Sequence, residues 1–309
     1  MSLDKIEPLQ DRVRALKQEK GAVILVHNYQ RPEIQDIADH IGDSFGLSKV
    51  VQGTDARVIV FCGVDFMAES AKILNPEKVV VIPNRGAVCP MACMVDVEGL
   101  KMVKRENPDA AVVSYVNTSA AVKAESDYCC TSANALKVIK AVPNRKIIFV
   151  PDSNLGMYIQ KNLGDEKDLY LWPGYCPTHV SITKKDVLDL KKVHPDAKVV
   201  VHPECVPEVI ALADAARSTE GMVKFCGETD AKEFIIGTER EMTYRLKKTY
   251  PDKKFYAIAR AVCPNMKKIT LWDLVSSLET LTPRVEIPEE TRKRAMVPLQ
   301  RMMDIGRGD

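Results

Sequence analysis

No apolar run in the 309 residues approaches the ~20 needed to cross a bilayer. Charge of one sign is also lacking: 44 Lys and Arg face 42 Asp and Glu, a formal net charge of +2. The first absence argues against a membrane-spanning helix. The second argues against a strongly basic nucleic-acid binder or an acidic interaction tail. Neither a Walker A sequence nor a GxGxxG turn occurs, so standard nucleotide binding has no support. The N-terminal MSLDKIEPLQDRVRALKQEK is a charged helix pattern without an apolar signal core. The expectation is a soluble cytoplasmic protein with no membrane and no nucleic-acid partner. Nine cysteines are present, an odd count without the spacing of a small disulfide scaffold. In a cytosolic chain that favours metal binding or catalysis. The apolar fraction of 46% suits a large globular core and argues against wholesale disorder.

An internal repeat organises what is there. Three Cys-Pro pairs follow apolar runs, in VVVIPNRGAVCP, LYLWPGYCP and FYAIARAVCP; Cys89, Cys176 and Cys263 lie 87 and 87 residues apart. Three further landmarks keep the period. His27, Tyr115 and His202 close apolar runs at intervals of 88 and 87. Ser44, Ser132 and Thr219 follow at 88 and 87, and Asp65, Asp152 and Glu239 at 87 and 87. The second copy reads as strands over 111–116, 146–150 and 169–172, with helices over 131–142, 154–163 and near 183–193. Short apolar runs alternating with helices predict parallel strands covered on both faces. The expected fold is therefore α/β: three similar three-layer αβα domains with short parallel sheets around a pseudo-threefold axis. Expected boundaries are 1–104 with 272–309, then 105–192, then 193–271; the N-terminal helix and the segment from Trp272 onward are expected to pack on the first domain. Ligands of parallel α/β units bind beyond the carboxyl ends of the strands. The polar landmarks follow the apolar runs in all three copies, so they are expected to meet in one central cleft.

A single cysteine is commonly a small buried residue, but three at one period point to ligands. Thiolates suit iron–sulfur clusters and zinc. Three without a fourth fit a [4Fe–4S] cluster with one open iron, able to act as a Lewis acid. Cys93, four residues after Cys89, is the rival ligand, although nothing in the other copies matches it. Cys62, Cys129, Cys130 and Cys226 read as core or loop residues, Cys129 and Cys130 beside a helix start, and Cys205 sits two residues past a strand end. His27 and His202 occupy repeat-equivalent strand ends, which favours a site role. Tyr29 and Glu204 are candidates for proton transfer. Tyr115 and Asn117 could hydrogen-bond a carboxylate or carbonyl. His179 reads either as a neighbour of the metal centre or as packing, while His40 and His194 read as surface residues at helix ends. Ser44, Ser132 and Thr219 precede or open helix patterns. They read as N-caps, and the same geometry offers N–H groups to an anion, such as a phosphate or several carboxylates.

These residues resemble those of the bacterial and archaeal quinolinate synthases, the iron–sulfur enzymes of de novo NAD synthesis. The resemblance rests on HNYQRPEIQDIADHIGDS, GVDFMAESAKILNP, CPMA, SYVNTSA, CTSANA, PDSNLG, GYCPTH, VHPEC, STEGM and AVCPNMKK, spread over about residues 22–270. It implies three similar α/β domains around a central site and a [4Fe–4S] cluster held by Cys89, Cys176 and Cys263. It implies condensation of iminosuccinate with dihydroxyacetone phosphate to quinolinate, with loss of phosphate and two waters. Substrate contacts would fall on His27, Ser44, Tyr115, Asn117, Ser132, His202, Glu204 and Thr219, and Tyr29 matches a tyrosine of the acid–base steps. Tyr29, Tyr115, His202 and Glu204 are thus the expected catalytic set. A transient contact with the enzyme that supplies iminosuccinate is a further expectation. Some members carry Cys-x2-Cys-x2-Cys at the last ligand; AVCPNMKK has one cysteine, so redox regulation there is not implied. Three rivals are separable. A reductive dehydroxylase of isoprenoid synthesis would need other motifs and electron donors. An iron–sulfur sensor or carrier would need no polar cleft. A structural zinc site would be closed by four ligands.

Overall fold

The computed structural model describes residues 6–309, so Met1–Lys5 of the expected N-terminal helix and first domain lie outside the described residues. Twelve strands form three four-stranded sheets among the described residues. The first holds β1 (Ala22–His27), β2 (His40–Gly42), β3 (Val58–Cys62) and β4 (Val79–Val81). The second holds β5 (Ala111–Tyr115), β6 (Tyr128–Cys130), β7 (Lys146–Val150) and β8 (Asp168–Leu171). The third holds β9 (Lys198–Val201), β10 (Ala215–Ala216), β11 (Glu233–Gly237) and β12 (Lys254–Ala257). All pairings within the sheets are parallel, and each sheet runs second–first–third–fourth, as in β2-β1-β3-β4. Helices cover both faces, giving three similar αβα units.

The central strands are apolar throughout because both faces are buried. In β11, Phe234 and Ile236 enter one core with Val200, Met222 and Leu246, whereas Ile235 enters another with Val187, Val199 and Val201. Each such side chain contributes about 1.5–3 kcal/mol by leaving water. The pattern predicts three strands per unit, and the structure adds a fourth at one edge. Strands β2, β6 and β10 are only three, three and two residues long, too short for a hydrophobic period. Each is preceded by an aspartate. Asp39, Asp127 and Asp214 accept the backbone N–H of Ile24, Val112 and Val199, each at 2.8 Å. Cys129 and Cys130 therefore lie on the edge strand β6, buried, and not beside a helix start.

The helix after each cysteine loop packs on the following unit. Val97–Glu106 places Leu100 and Val103 against Val112, Ile148 and Val150 of the second sheet. Lys184–Val193 places Val187 against Val199 and Ile235 of the third. Leu271–Thr280 returns to the first unit, packing on the helix Ile6–Lys20, which lies on β1. Their N-caps, Asp96, Thr183 and Thr270, keep the 87-residue period. The helix that begins at Leu271 thus keeps the repeat period and closes the ring by covering the first unit. The helix Glu289–Ile305 packs against β6 and the helix Ala120–Lys123 of the second unit as well as on the first-unit helix Asp65–Leu74. Leu274, fully buried at the ring closure, is sensitive to truncation. Leu274→Ala should lower the stability by about 2–5 kcal/mol, measured as a lower denaturant midpoint in urea unfolding.

Candidate active site

The carboxyl ends of the three sheets open on one pocket. Its lining includes the twelve residues expected as cluster ligands, substrate contacts or catalysts, His27, Tyr29, Ser44, Cys89, Tyr115, Asn117, Ser132, Cys176, His202, Glu204, Thr219 and Cys263, but not the landmarks Asp65, Asp152 and Glu239. The order is the same in each unit. The first strand ends in His27 or Tyr115, or one residue before His202; the edge strand leads to Ser44, Ser132 or Thr219; the third leads to Asp65, Asp152 or Glu239; the fourth leads to a cysteine. Tyr29, Asn117 and Glu204 are likewise repeat equivalents, two residues beyond those strand ends.

His27 and His202 share one local geometry. His27 Nδ1 accepts the N–H of Tyr29 at 3.2 Å, and His202 Nδ1 accepts that of Glu204 at 3.3 Å. With Nδ1 accepting, a neutral ring carries its proton on Nε2. His202 Nε2 then donates to Ser132 Oγ at 3.1 Å. Burial pushes both imidazoles down to about 3, so both are neutral donors near neutral pH.

Glu204 lies at the centre of the polar groups and is 3% exposed. Tyr115 donates its hydroxyl to Oε1, and His179 Nδ1 lies 2.8 Å from Oε2. Burial pushes the Glu204 carboxyl up, but the nearby His202 and His179 rings and the hydrogen bond from Tyr115 bring it below the usual carboxylate range. Burial, reinforced by the Glu204 charge, raises the phenols of Tyr29 and Tyr115, which stay protonated. Thr238 Oγ1 joins Tyr29 to this group, 2.6 Å from the Tyr29 hydroxyl and 2.8 Å from His179 Nε2. His179 also stacks on His202, ring centroids 4.6 Å apart. Asn117 Oδ1 is buried in the pocket wall without a hydrogen-bond partner among the described residues, an acceptor that a ligand can satisfy.

The cysteines are held alike. Asp65 Oδ1 accepts the Cys89 N–H at 3.0 Å and Glu239 Oε1 that of Cys263 at 3.4 Å, while Asp152 faces the backbone of Cys176. Burial keeps all three thiols protonated on their own. Three half-buried free thiols from three units, lining one pocket, form a donor set for a thiophilic metal centre. Cys93 is exposed and outside that lining, as are the buried Cys62, Cys205 and Cys226. Cys176, His179 and Glu204 also bring ligand atoms within 4.8 Å of one another, so His179 borders the donor set.

Two N-cap readings shift by one residue. Asp43 and Ser218 cap the helices Ser44–Gly53 and Thr219–Glu228, accepting the N–H groups of Gly46 and Gly221. Ser44 and Thr219 are first-turn residues, which frees them from capping. Ser132 lies in the turn before the helix Ala135–Ala141, whose cap is Asn134. His40 lies exposed on β2, not at a helix end, and His194 caps a helix and stacks on Tyr256 at 3.5 Å. Sequence reading missed Thr238, Asn28 and Lys267. Asn28 donates to Thr219 Oγ1 at 2.9 Å, and Lys267 lies 2.9 Å from Glu239. Thr238 and Lys267 carry no periodic signal. The pairs Asp43-Ser44 and Ser218-Thr219 keep the period and hold the two caps, whereas the equivalent pair Thr131-Ser132 lies ahead of the cap Asn134.

The family model described as quinolinate synthetase A protein matches residues 11–304. The chain belongs to the quinolinate synthase family. Quinolinate synthase of Thermodesulfovibrio yellowstonii is 53% identical over 296 residues, covering 96% of this chain and 97% of the relative. Quinolinate synthase of Geobacter metallireducens is 51% identical over 302 residues, covering 97% and 99%. Quinolinate synthase 2 of Methanosarcina acetivorans is 50% identical over 296 residues, covering 96% and 95%. Like these quinolinate synthases, the chain is an enzyme.

The neutral histidines have a thermodynamic signature. Their imidazoles bind a proton in the unfolded chain near the ordinary 6.5 but in the folded chain only near 3. Between those values the unfolded state binds more protons, so stability falls as pH falls through this window. His202→Gln in metal-free protein should give a shallower decline of unfolding free energy over it, read by urea unfolding at a series of pH values. An unchanged slope would mean that His202 is charged in the folded protein.

Proposed function

We propose that the enzyme condenses iminosuccinate with dihydroxyacetone phosphate to give quinolinate, phosphate and two waters, with a [4Fe–4S] cluster on Cys89, Cys176 and Cys263 and one iron open. The carrying observation is the convergence of three repeat-equivalent thiols and nine polar residues on one pocket. The donor set fits such a cluster, since three thiols from three loops leave a coordination position free. When bound, the cluster would supply Lewis-acid polarisation of an oxygen or nitrogen.

The chain's own groups divide by charge and protonation. His27 and His202, neutral with Nε2–H, and the hydroxyls of Ser44, Ser132 and Thr219 hold carboxylate and phosphate oxygens. The first turns of Ser44–Gly53 and Thr219–Glu228 add free N–H groups and positive potential. Tyr115 and Asn117 orient the bound molecules. Glu204, ionised among histidines, accepts a proton during isomerisation or cyclisation, and Tyr29, a protonated phenol, donates one. Both act in a pocket that excludes most water, which strengthens every hydrogen bond to a developing charge. A cytoplasmic setting accords with the free cysteines, and no described helix is long and apolar enough to cross a membrane. A sensor reading is disfavoured because buried Glu204 and its partners are costly to maintain without a substrate.

Protein purified without oxygen should carry about four irons and four sulfides per chain. Both should be lost on replacing Cys89, Cys176 or Cys263 with Ala, and retained on replacing Cys93. Glu204→Gln should keep its iron and lower kcat for quinolinate formation by ~10²-fold or more. Unchanged turnover would remove Glu204 from the scheme, and absence of iron after anaerobic reconstitution would remove the cluster.

A further inference from the structure

The three hydroxyls of Ser44, Ser132 and Thr219 come from three units, and no short stretch of backbone fixes their mutual distances. Residues 306–309 do join their neighbours. Arg307 Nη2 lies 2.8 and 2.7 Å from the two carboxylate oxygens of Asp43, the cap beside Ser44. Arg307 Nη1 lies 2.9 Å from Asp309 Oδ1, and Asp309 Oδ2 accepts the hydroxyl of Ser218, the cap beside Thr219. Gly306 O accepts Asn134 Nδ2 at 3.0 Å, and Gly308 N donates to Ala133 O at 2.9 Å, within the turn that carries Ser132. The side chains of Asp43, Arg307 and Asp309 are 8%, 28% and 14% exposed, so this chain of charges is largely withdrawn from water. The third unit also meets it sterically: a Cβ on Gly221 would lie 2.4 Å from Asp309 Oδ2.

We propose that Arg307 is a positioning residue for substrate, fixing Ser44, Ser132 and Thr219 relative to one another through Asp43, Asp309 and the backbone of residues 306–308. This rests on the reading of those hydroxyls as holders of substrate oxygens. Two carboxylates alone would repel; the guanidinium between Asp43 and Asp309 makes their approach favourable. Its planar fork fixes direction as well as distance, which an ammonium does not. Rigid placement of binding groups lowers the cost of ordering them when the ligand arrives.

The test compares holoenzyme variants by the Kd for quinolinate, the KM for dihydroxyacetone phosphate, kcat, and iron and sulfide content. Arg307→Ala should raise Kd or KM about tenfold, the loss of one modest interaction, with kcat at saturation and iron content near those of the parent. Arg307→Lys should fall between the two. Gly221→Ala, which displaces Asp309 while leaving Arg307 and Asp43 in place, should shift Kd or KM in the same direction. If Arg307→Ala yields no folded protein, Arg307→Lys and Gly221→Ala carry the same comparison. A lowered melting temperature with Kd and KM unchanged in these variants would overturn the proposal and leave the segment a staple between units. Ser44→Ala and Thr219→Ala separate the failures. If they weaken binding and the Arg307 variants do not, the positioning role falls and the site reading stands. If neither weakens binding, the site reading falls and takes the positioning role with it.

Discussion

A helix that covers the sheet of the next unit cannot leave its own without exposing both. Three such helices, at Val97–Glu106, Lys184–Val193 and Leu271–Thr280, tie the units head to tail, and the last returns to the first. The apolar area that each buries lies between units, so the hydrophobic effect that stabilises each sheet also fixes its position in the ring. Parallel strands require long crossovers, and the crossovers leave every strand's carboxyl end free. The ring and the strand direction together bring twelve loop ends to a shared centre. The first and second units share one large core, whereas the third keeps a separate core on each face of its sheet.

The chemistry depends on what such a centre does to titratable groups. Burial alone would make every ionisable side chain there neutral, and for His27, His202, the two phenols and the thiols it does. Glu204 departs from that rule: the Tyr115 hydroxyl donates to it, and the His179 and His202 rings flank it. One ionised carboxylate among protonated partners is a proton acceptor beside proton donors, with bulk water largely excluded. The backbone N–H contacts to His27 and His202 set which ring nitrogen faces the pocket, so the tautomer follows from the turn after each strand and not from the ligand.

Much of this was legible because the repeat is written in polar residues at fixed offsets from apolar runs. The β1, β5 and β9 strands are long and apolar enough to read directly, and their ends carry His27, Tyr115 and His202. Edge strands such as Ala215–Ala216 were not legible, because two residues show no alternation and pairing with β9 alone defines them. Ser44 and Thr219 were placed one residue off because Asp-Ser and Ser-Thr both contain capping residues, and only backbone geometry shows which one caps. Thr238 and Arg307 were beyond reach for a different reason. Their roles come from contacts between residues far apart in the chain, as Arg307 with Asp43, and no local pattern marks such pairs.

The equivalence of Tyr29, Asn117 and Glu204 has a geometric consequence. Had the three copies kept identical residues at every lining position, the pocket would offer a ligand three superimposable orientations of equal energy. A phenol, a carboxamide and a carboxylate make the orientations inequivalent, as do His27, Tyr115 and His202 one step back. A scaffold built by repetition thereby presents a handed surface, on which a small molecule without symmetry has a single best pose.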